Sequence, residues 1–178
     1  MIHQPFEIRR FRAADTEALC RIWHDASLRS HDFLPEALLF RQRRIIAERF
    51  LGQTECWIAA CDETPLGFIG LIDDFVGGLF VDPHCQGYGV GTALLGHAWN
   101  LRGKLALEVY ARNSRAIAFY RRHGFSGIRR RETDDNGLPF ALILMQKGMT
   151  TARPRRYATA KPEGWGPVET NMDAGSAS

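Results

Sequence analysis

The feature that most constrains this chain is an apolar strand that passes through a glycine-rich turn into an amphipathic helix. The strand, Leu79 to Val81, ends at Asp82-Pro83, and the turn spans Gly87 to Gly91. From Val90 onward, apolar residues recur at i, i+3, i+4, i+8 and i+11, which is the spacing of one helix face. Glycines at a helix start leave backbone N–H groups uncovered, and the helix dipole is positive there. The stretch therefore predicts an anion site suited to a pyrophosphate.

The spacing of the glycines separates this turn from two other phosphate-binding loops. The dinucleotide-binding pattern G-x-G-x-x-G is not met, because Leu94 stands where its third glycine would be. No Gly-Lys-Ser/Thr closes the turn, which excludes a P-loop. The pattern present is Gln-x-x-Gly-x-Gly, at Gln86, Gly89 and Gly91. An ordinary glycine-rich turn could share it, so a second segment is needed to decide.

That second segment, Leu107 to Phe125, reads as a strand, a helix and a glycine stop. Asn113 is placed to cap the helix and Gly124 to end it. Asn113, Ile117 and Tyr120 lie at i, i+4 and i+7, so the cap and the phenol share one helix face. The pattern is Asn-x-x-Ala-x-x-x-Tyr-x-x-x-Gly-Phe.

The two motifs, in this order, resemble the coenzyme A site of the GNAT superfamily of N-acetyltransferases, and the resemblance spans Phe6 to Lys147. It implies an enzyme that transfers acetyl directly from acetyl-CoA to a primary amine. Backbone amides of the strand before the turn would polarise the acetyl carbonyl. The cofactor contacts it implies are Leu79, Phe80, Val81, Gln86, Gly87, Tyr88, Gly89, Val90, Gly91, Thr92, Asn113, Ala116, Phe119 and Tyr120.

Two residues are candidates for proton transfer. Tyr120 is the expected general acid, because a phenol with a pKa of about 10 stays protonated at neutral pH and can donate to the departing thiolate. Glu108 shares a strand face with Ala106 and Tyr110. The segment around Glu108 is similar to bacterial N-terminal protein acetyltransferases, in which the glutamate serves as base. A salt-bridged or exposed structural glutamate is the equal alternative.

The acceptor has several candidates. Ser30 to Leu34 is similar to a segment of small bacterial GNAT proteins, which implies that His31 and Phe33 bind the substrate; a surface histidine beside a capped turn is the alternative. The leading expectation is a small-molecule amine, and the first alternative is acetylation of protein N-termini or lysines. A toxin-type enzyme acting on aminoacyl-tRNA would use the arginine clusters, which are Arg121-Arg122, Arg129-Arg130-Arg131 and Arg153-Pro154-Arg155-Arg156. It would more usually have a stronger basic surface. A non-catalytic acyl-CoA-binding module is disfavoured, because both Tyr120 and Glu108 are retained.

Composition bounds the class of protein. A chain of 178 residues, 45% hydrophobic and 24% charged, is long enough for one domain with a single core. A net charge of +3 is too mild to indicate nucleic-acid binding. No apolar run approaches a membrane span and the start is no signal peptide, so a cytoplasmic monomer or homodimer with four reduced cysteines is expected. The histidines form no metal-binding pattern, and no metal is expected.

The element order β-α-α-β-β-β-α-β-α-β-β predicts an α/β (α+β) domain of the GNAT fold, with a mixed, mostly antiparallel sheet of six to seven strands and about four helices. The domain is expected over 1–148, followed by a flexible tail over 149–178 that is rich in Gly, Pro, Ser, Thr and Ala. Within the domain, Asp15 is expected to cap the first helix and Pro35 to begin the second. A bulge is expected at Gly77-Gly78, and Phe140 to Met145 is expected as the last strand.

Overall fold

A mixed seven-stranded sheet organises the described part of the chain, which in this computed structural model comprises residues 5–30, 43–135 and 137–148. The strand order is β1-β2-β3-β4-β5-β7-β6, and the parallel neighbours are β4 and β5. The strands are β1 Glu7–Arg10, β2 Glu55–Cys61, β3 Thr64–Ile72, β4 Phe75–Val81, β5 Leu105–Tyr110, β6 Ser126–Arg131 and β7 Leu142–Lys147.

Helices cover both faces of this sheet. They are α1 Thr16–Ser30, preceded by a 3₁₀ turn at Ala13–Asp15; α2, a π-helical turn Ile46–Phe50 continued by Leu51–Gln53; α3 Val90–Arg102; and α4 Ser114–Arg122. The predicted fold class, a mostly antiparallel mixed sheet with about four helices, is confirmed. None of the helices in the described residues is long and apolar enough to cross a membrane.

The two sheet faces carry separate hydrophobic cores. One face packs against α3 and α4 through a cluster that includes Leu94, Leu107, Ile117 and Tyr120. The opposite face packs against α1 and α2, where Ile22 is one of the fully buried residues. Strand alternation produces this division, because successive side chains of a strand point to opposite faces.

A bulge on β4 opens the sheet at its centre. β3 pairs Gly70 with Gly78 but Leu71 with Val76, so Gly77 is the extra residue, as the glycine pair predicted. The parallel β4–β5 ladder is confined to Phe75–Ala106 and Val76–Leu107 along these two fully described strands. Beyond Val76, β4 and β5 diverge. The edge of β4 that faces β5 therefore makes no ladder with β5 from Gly77 onward.

Several predicted boundaries differ from the structure. β4 begins at Phe75, not Leu79, because its first residues pair with both β3 and β5. α3 begins at Val90, with Gly89 as its N-cap, so its first turn contains Gly91 but not Gly87. The last strand is displaced to Leu142–Lys147. Asp15 does precede the first helix, but its carboxylate accepts hydrogen bonds from the backbone of Arg12 and from the side chain of Arg9.

Other expectations lie outside the described residues. These are the acceptor loop with His31 and Phe33, the start of the second helix at Pro35, and the tail over 149–178. They stay predictions.

Candidate active site

A cavity of about 770 Å³ lies where β4 and β5 diverge. Its walls come from α1, β4, the glycine turn, the first turn of α3, β5 and α4. The elements that the two motifs occupy are therefore brought together around one opening in the sheet. Such an opening at the centre of a domain is a typical place for a ligand site.

The glycine turn has a backbone that only glycine adopts without strain. Gly87 and Gly89 have φ angles of +87° and +84°, and a Cβ atom at either would meet nothing within 4 Å. Gly89 is the N-cap residue of α3. The Gln86 side chain donates from Nε2 to the carbonyl of Val81 at 3.3 Å and ties the turn to the strand. The result is an open, glycine-lined helix N-terminus, which is an anion cradle.

The Asn113 helix has the predicted cap. Asn113 Oδ1 accepts a hydrogen bond from the backbone N–H of Ala116 at 3.0 Å, and α4 ends at Gly124 with φ of +86°. Tyr120, two turns further along, is buried at 9% exposure and packs edge-on against Phe119 and Phe125. Burial raises the pKa of the Tyr120 phenol, so the hydroxyl keeps its proton well above neutral pH.

Glu108 lines the same cavity from β5, with its carboxylate held in a network of charges. Arg131 donates from Nε to Oε1 at 3.0 Å and from Nη2 to Oε2 at 2.8 Å, a two-point contact. The Arg131 Nη2 also donates to Asp135 Oδ1 at 2.6 Å, and its Nη1 donates to the Thr133 carbonyl. The charges of these three groups alone sum to −1, and other parts of the cavity lining carry arginines. The alternative that Glu108 is salt-bridged is thus what the structure shows, and a salt bridge does not remove it from the site.

Beside Glu108, the loop between β6 and β7 is anchored by a second contact. The Tyr110 hydroxyl donates to Asp134 Oδ2 at 3.2 Å, and Asp134 Oδ1 accepts from the backbone of Leu138 at 2.9 Å. Burial first, and the nearby Asp134 carboxylate next, raise the pKa of Tyr110. This loop closes one side of the cavity through Asp135.

Tyr120 and Glu108 reach the cavity from opposite faces of the sheet. Tyr120 belongs to the core beneath α3 and α4. Glu108 points to the other face, with Tyr110, whose ring packs against the core of α1 and α2. The gap between β4 and β5 joins the two faces, so a group passing through it would meet a phenol on one side and a carboxylate on the other.

Most of the residues predicted for the site line this cavity. Tyr88 does not: its side chain is 47% exposed and it is absent from the lining. The other predicted residues in the described chain do line it: Leu79, Phe80, Val81, Gln86, Gly87, Gly89, Val90, Gly91, Thr92, Glu108, Asn113, Ala116, Phe119 and Tyr120.

The sequence did not point to several other lining residues. Trp23 and Arg29 of α1, Arg112 and Asp135 line the cavity, and Arg131 sits behind Glu108. Arg131 belongs to the run Arg129-Arg130-Arg131, for which the sequence alone favours solvated surface. The signal for a buried role was Glu108, which lies two strands away in the sheet. The sequence alone does not reveal this neighbour, because the strand order is needed to find it.

Cys85 packs into the core beside the turn at 7% exposure. Burial raises the pKa of its thiol. Cys85 is therefore a packed core thiol and is not activated by the helix dipole. All four cysteines are free thiols.

The residues present fit a coenzyme A thioester. The cradle at Gly87 and Gly89 is unobstructed and suits a pyrophosphate. The unpaired edge of β4 beyond Val76 offers backbone groups to an extended amide-bearing chain, in the manner of strand addition. Arg115 and Arg122 of α4 line the cavity and supply positive charge for phosphates. No cluster of metal-ligating side chains occurs within the residues described.

Comparison with known proteins agrees with this geometry. The family model of the acetyltransferase (GNAT) domain matches residues 52–127. The chain is 35% identical over 137 residues, 76% of its length, to the peptidyl-lysine N-acetyltransferase YjaB of Salmonella typhimurium, and covers 94% of it. The solution structure of apo YjaB from Escherichia coli superposes with a TM-score of 0.74 at 32% identity, covering 80% of this chain and 97% of that one.

A more distant neighbour shows the same fold. The PaiA N-acetyltransferase of Thermoplasma acidophilum, solved in complex with coenzyme A, has a TM-score of 0.68 at 20% identity, over 82% of this chain and 99% of that one. The chain belongs to the GNAT family of N-acetyltransferases. The predictions of the family and of an acetyltransferase are confirmed, and acetyl-CoA is the acyl donor expected of a member of this family.

Proposed function

We propose that this N-acetyltransferase acetylates lysine side chains of peptides and proteins. The choice of lysine rests on one observation, the 35% identity to a peptidyl-lysine N-acetyltransferase of which the chain covers 94%. The leading sequence expectation, a small-molecule amine, is less well supported. The network of Glu108, Arg131 and Asp135 suits a lysine, since its net charge of −1 attracts an ammonium group.

The residues of this chain divide the work between the two sheet faces. When bound, acetyl-CoA supplies the acetyl group as an activated thioester. The glycine turn and Asn113 helix bind and orient the donor, and the unpaired edge of β4 is placed to bind the acetyl oxygen, where negative charge develops. Tyr120 holds a proton for the sulfur, and burial keeps that proton in place.

Glu108 serves the amine. Glu108 lines the cavity, and its carboxylate is an acceptor for the ammonium of a lysine. Arg131 holds the carboxylate in one geometry, which reduces the entropy lost when the amine binds. Glu108 then takes up the ammonium proton, directly or through water, so that the neutral amine can attack.

The test is a direct comparison of acceptors at fixed acetyl-CoA, measured by release of free thiol. One peptide has a blocked N-terminus and a single lysine; a second has a free N-terminus and norleucine in place of the lysine. A panel of small amines, including polyamines, completes the set. Turnover of the lysine peptide alone supports the proposal. Turnover of the second peptide or of a small amine, with none of the lysine peptide, would refute it.

A further inference from the structure

We propose that Arg29 and Arg112 form a basic rim on the acceptor side of the cavity, which selects lysines flanked by acidic residues. The inference rests on the proposed function and specifies the substrate class of the same site. Two independent elements supply the rim: Arg29 lies in the last turn of α1, and Arg112 follows β5. Both residues line the cavity and both are exposed.

The acceptor side of the cavity is the sheet face that carries Glu108 and packs against α1 and α2. The contacts of Arg112 lie on this side. The guanidinium of Arg112 lies 5.5 Å from the ring centroid of Phe140, a cation–π distance. Phe140 packs against the core shared by α1 and α2, not against the core beneath α3 and α4. Arg29 is on α1 and so belongs to the same side. Arg115 and Arg122, by contrast, are on α4, where the donor phosphates are expected.

The charges of the cavity change sign from its interior to its rim. Inside, Glu108 and Asp135 share Arg131 and leave a net charge of −1. At the rim stand the positive charges of Arg29 and Arg112. A lysine side chain that places its ammonium at Glu108 leaves its backbone, and the neighbouring residues of the peptide, near the rim. Acidic neighbours match the rim, and basic neighbours are repelled by it.

The size of the effect follows from exposure. Exposed ion pairs are individually weak, so the two arginines together should favour an acidic over a neutral flank by about five- to tenfold in kcat/KM. Such a preference is screened by salt and should largely vanish above about 0.5 M, where the Debye length is only a few ångströms.

The experiment uses the full chain and three N-terminally blocked peptides that carry one lysine flanked by aspartates, serines or arginines. We expect kcat/KM to fall in that order at low salt and to converge at high salt. Arg29→Gln and Arg112→Gln should each remove about half of the aspartate preference on a logarithmic scale, with the KM for acetyl-CoA unchanged. Arg121→Gln is the matched control, an exposed arginine of α4 that does not line the cavity.

Distinct outcomes would overturn the inference. Equal kcat/KM for all three peptides would contradict a role of the rim in substrate selection, but it would still support the proposed acetylation of lysine. A raised KM for acetyl-CoA in the variants, with the aspartate preference intact, assigns these arginines to the donor instead. Failure of the wild type to acetylate any of the peptides refutes the proposed function, and the rim with it. Because Arg112→Gln loses its contact with Phe140, thermal unfolding is measured for each variant, and Arg29→Gln decides if Arg112→Gln does not fold.

Discussion

Arg131 binds both carboxylate oxygens of Glu108 from the far side of an intervening strand. Glu108 is on β5 and Arg131 on the edge strand β6, and β7 runs between them. The pair is mostly shielded from water, with side-chain exposures of 13% for Glu108 and 28% for Arg131. The carboxylate that we propose takes up the ammonium proton is therefore also one half of an ion pair, and mutation of each partner separates the two roles.

Glu108→Gln should lower kcat/KM for a lysine peptide by about 10²- to 10⁴-fold, because an amide neither holds an ammonium nor accepts its proton. Arg131→Met should cost about 1–3 kcal/mol of unfolding free energy, since it removes the guanidinium from two shielded carboxylates. It should also lower kcat/KM for the lysine peptide, because Glu108 loses a contact that orients it. In the double variant the two activity losses should not add, since both act through one carboxylate. Arg130→Met is the control, because Arg130 pairs with the exposed Glu132. Additive losses would argue against the coupling.

Tyr120→Phe should lower kcat by about 10- to 10⁴-fold while acetyl-CoA binds almost as tightly, because the ring is kept and the proton donor is lost. Steady-state kinetics and calorimetric titration of acetyl-CoA measure the two quantities. Wild-type turnover in this variant would remove Tyr120 from proton transfer.

Stability at high pH should depend on the two buried tyrosines. Burial raises the pKa of Tyr110 and of Tyr120 above the ordinary value of 10.0. The folded protein therefore keeps protons that the unfolded chain loses, and unfolding free energy falls as pH rises above about 10, by about 1.4 kcal/mol per pH unit for each tyrosine. Urea unfolding between pH 9 and 11 should show a shallower decline in Tyr110→Phe and in Tyr120→Phe than in the wild type. Equal slopes would contradict the role of burial.

The glycine turn can be tested against a matched glycine elsewhere. Gly89 and Gly103 both have positive φ angles, +84° and +68°, and neither has an atom within 4 Å of an added Cβ. Glutamate at either position should lower the free energy of unfolding by about 1–2 kcal/mol through backbone strain. Acetyl-CoA at a hundred times its Kd should stabilise the wild type by about 2.7 kcal/mol in thermal unfolding. Gly89→Glu should abolish that shift through repulsion of the phosphates, and Gly103→Glu should retain it; loss in both would mean a general defect.

Asp15 should contribute to stability only above acid pH. Its hydrogen bonds to Arg9, at 2.9 and 2.8 Å, are the main cause that holds the pKa of Asp15 below its ordinary value of 3.8. A depressed pKa stabilises the fold above the unfolded value, and this contribution is lost as pH falls through the folded one. Asp15→Asn should cost about 3–5 kcal/mol at neutral pH and flatten the acid side of the stability profile. The exposed Asp25→Asn is the control, and an unchanged acid profile in Asp15→Asn would count against the pair.

The local sequence was sufficient for everything that depends on neighbouring residues. The glycine turn, the Asn113 cap, the Gly124 stop and the bulge at Gly77 follow from positive φ angles, capping and alternation, which act over a few residues. The predicted start of β4 was wrong because Phe75 is held in the sheet by strands on both sides, Ile72 of β3 and Ala106 of β5.

The family, and the residues proposed for the donor half of the site, were therefore determined by sequence, because the glycine turn and the Asn113 helix are fixed by their own local conformation. Only the tertiary structure decided the arrangement proposed for the acceptor half. Arg131 meets Glu108 because β7 inserts between β5 and β6, and Arg112 lies over Phe140 because the β6–β7 loop folds back onto the sheet. Contacts of this kind depend on strand order and on side-chain reach between distant segments, and no short-range spacing encodes them.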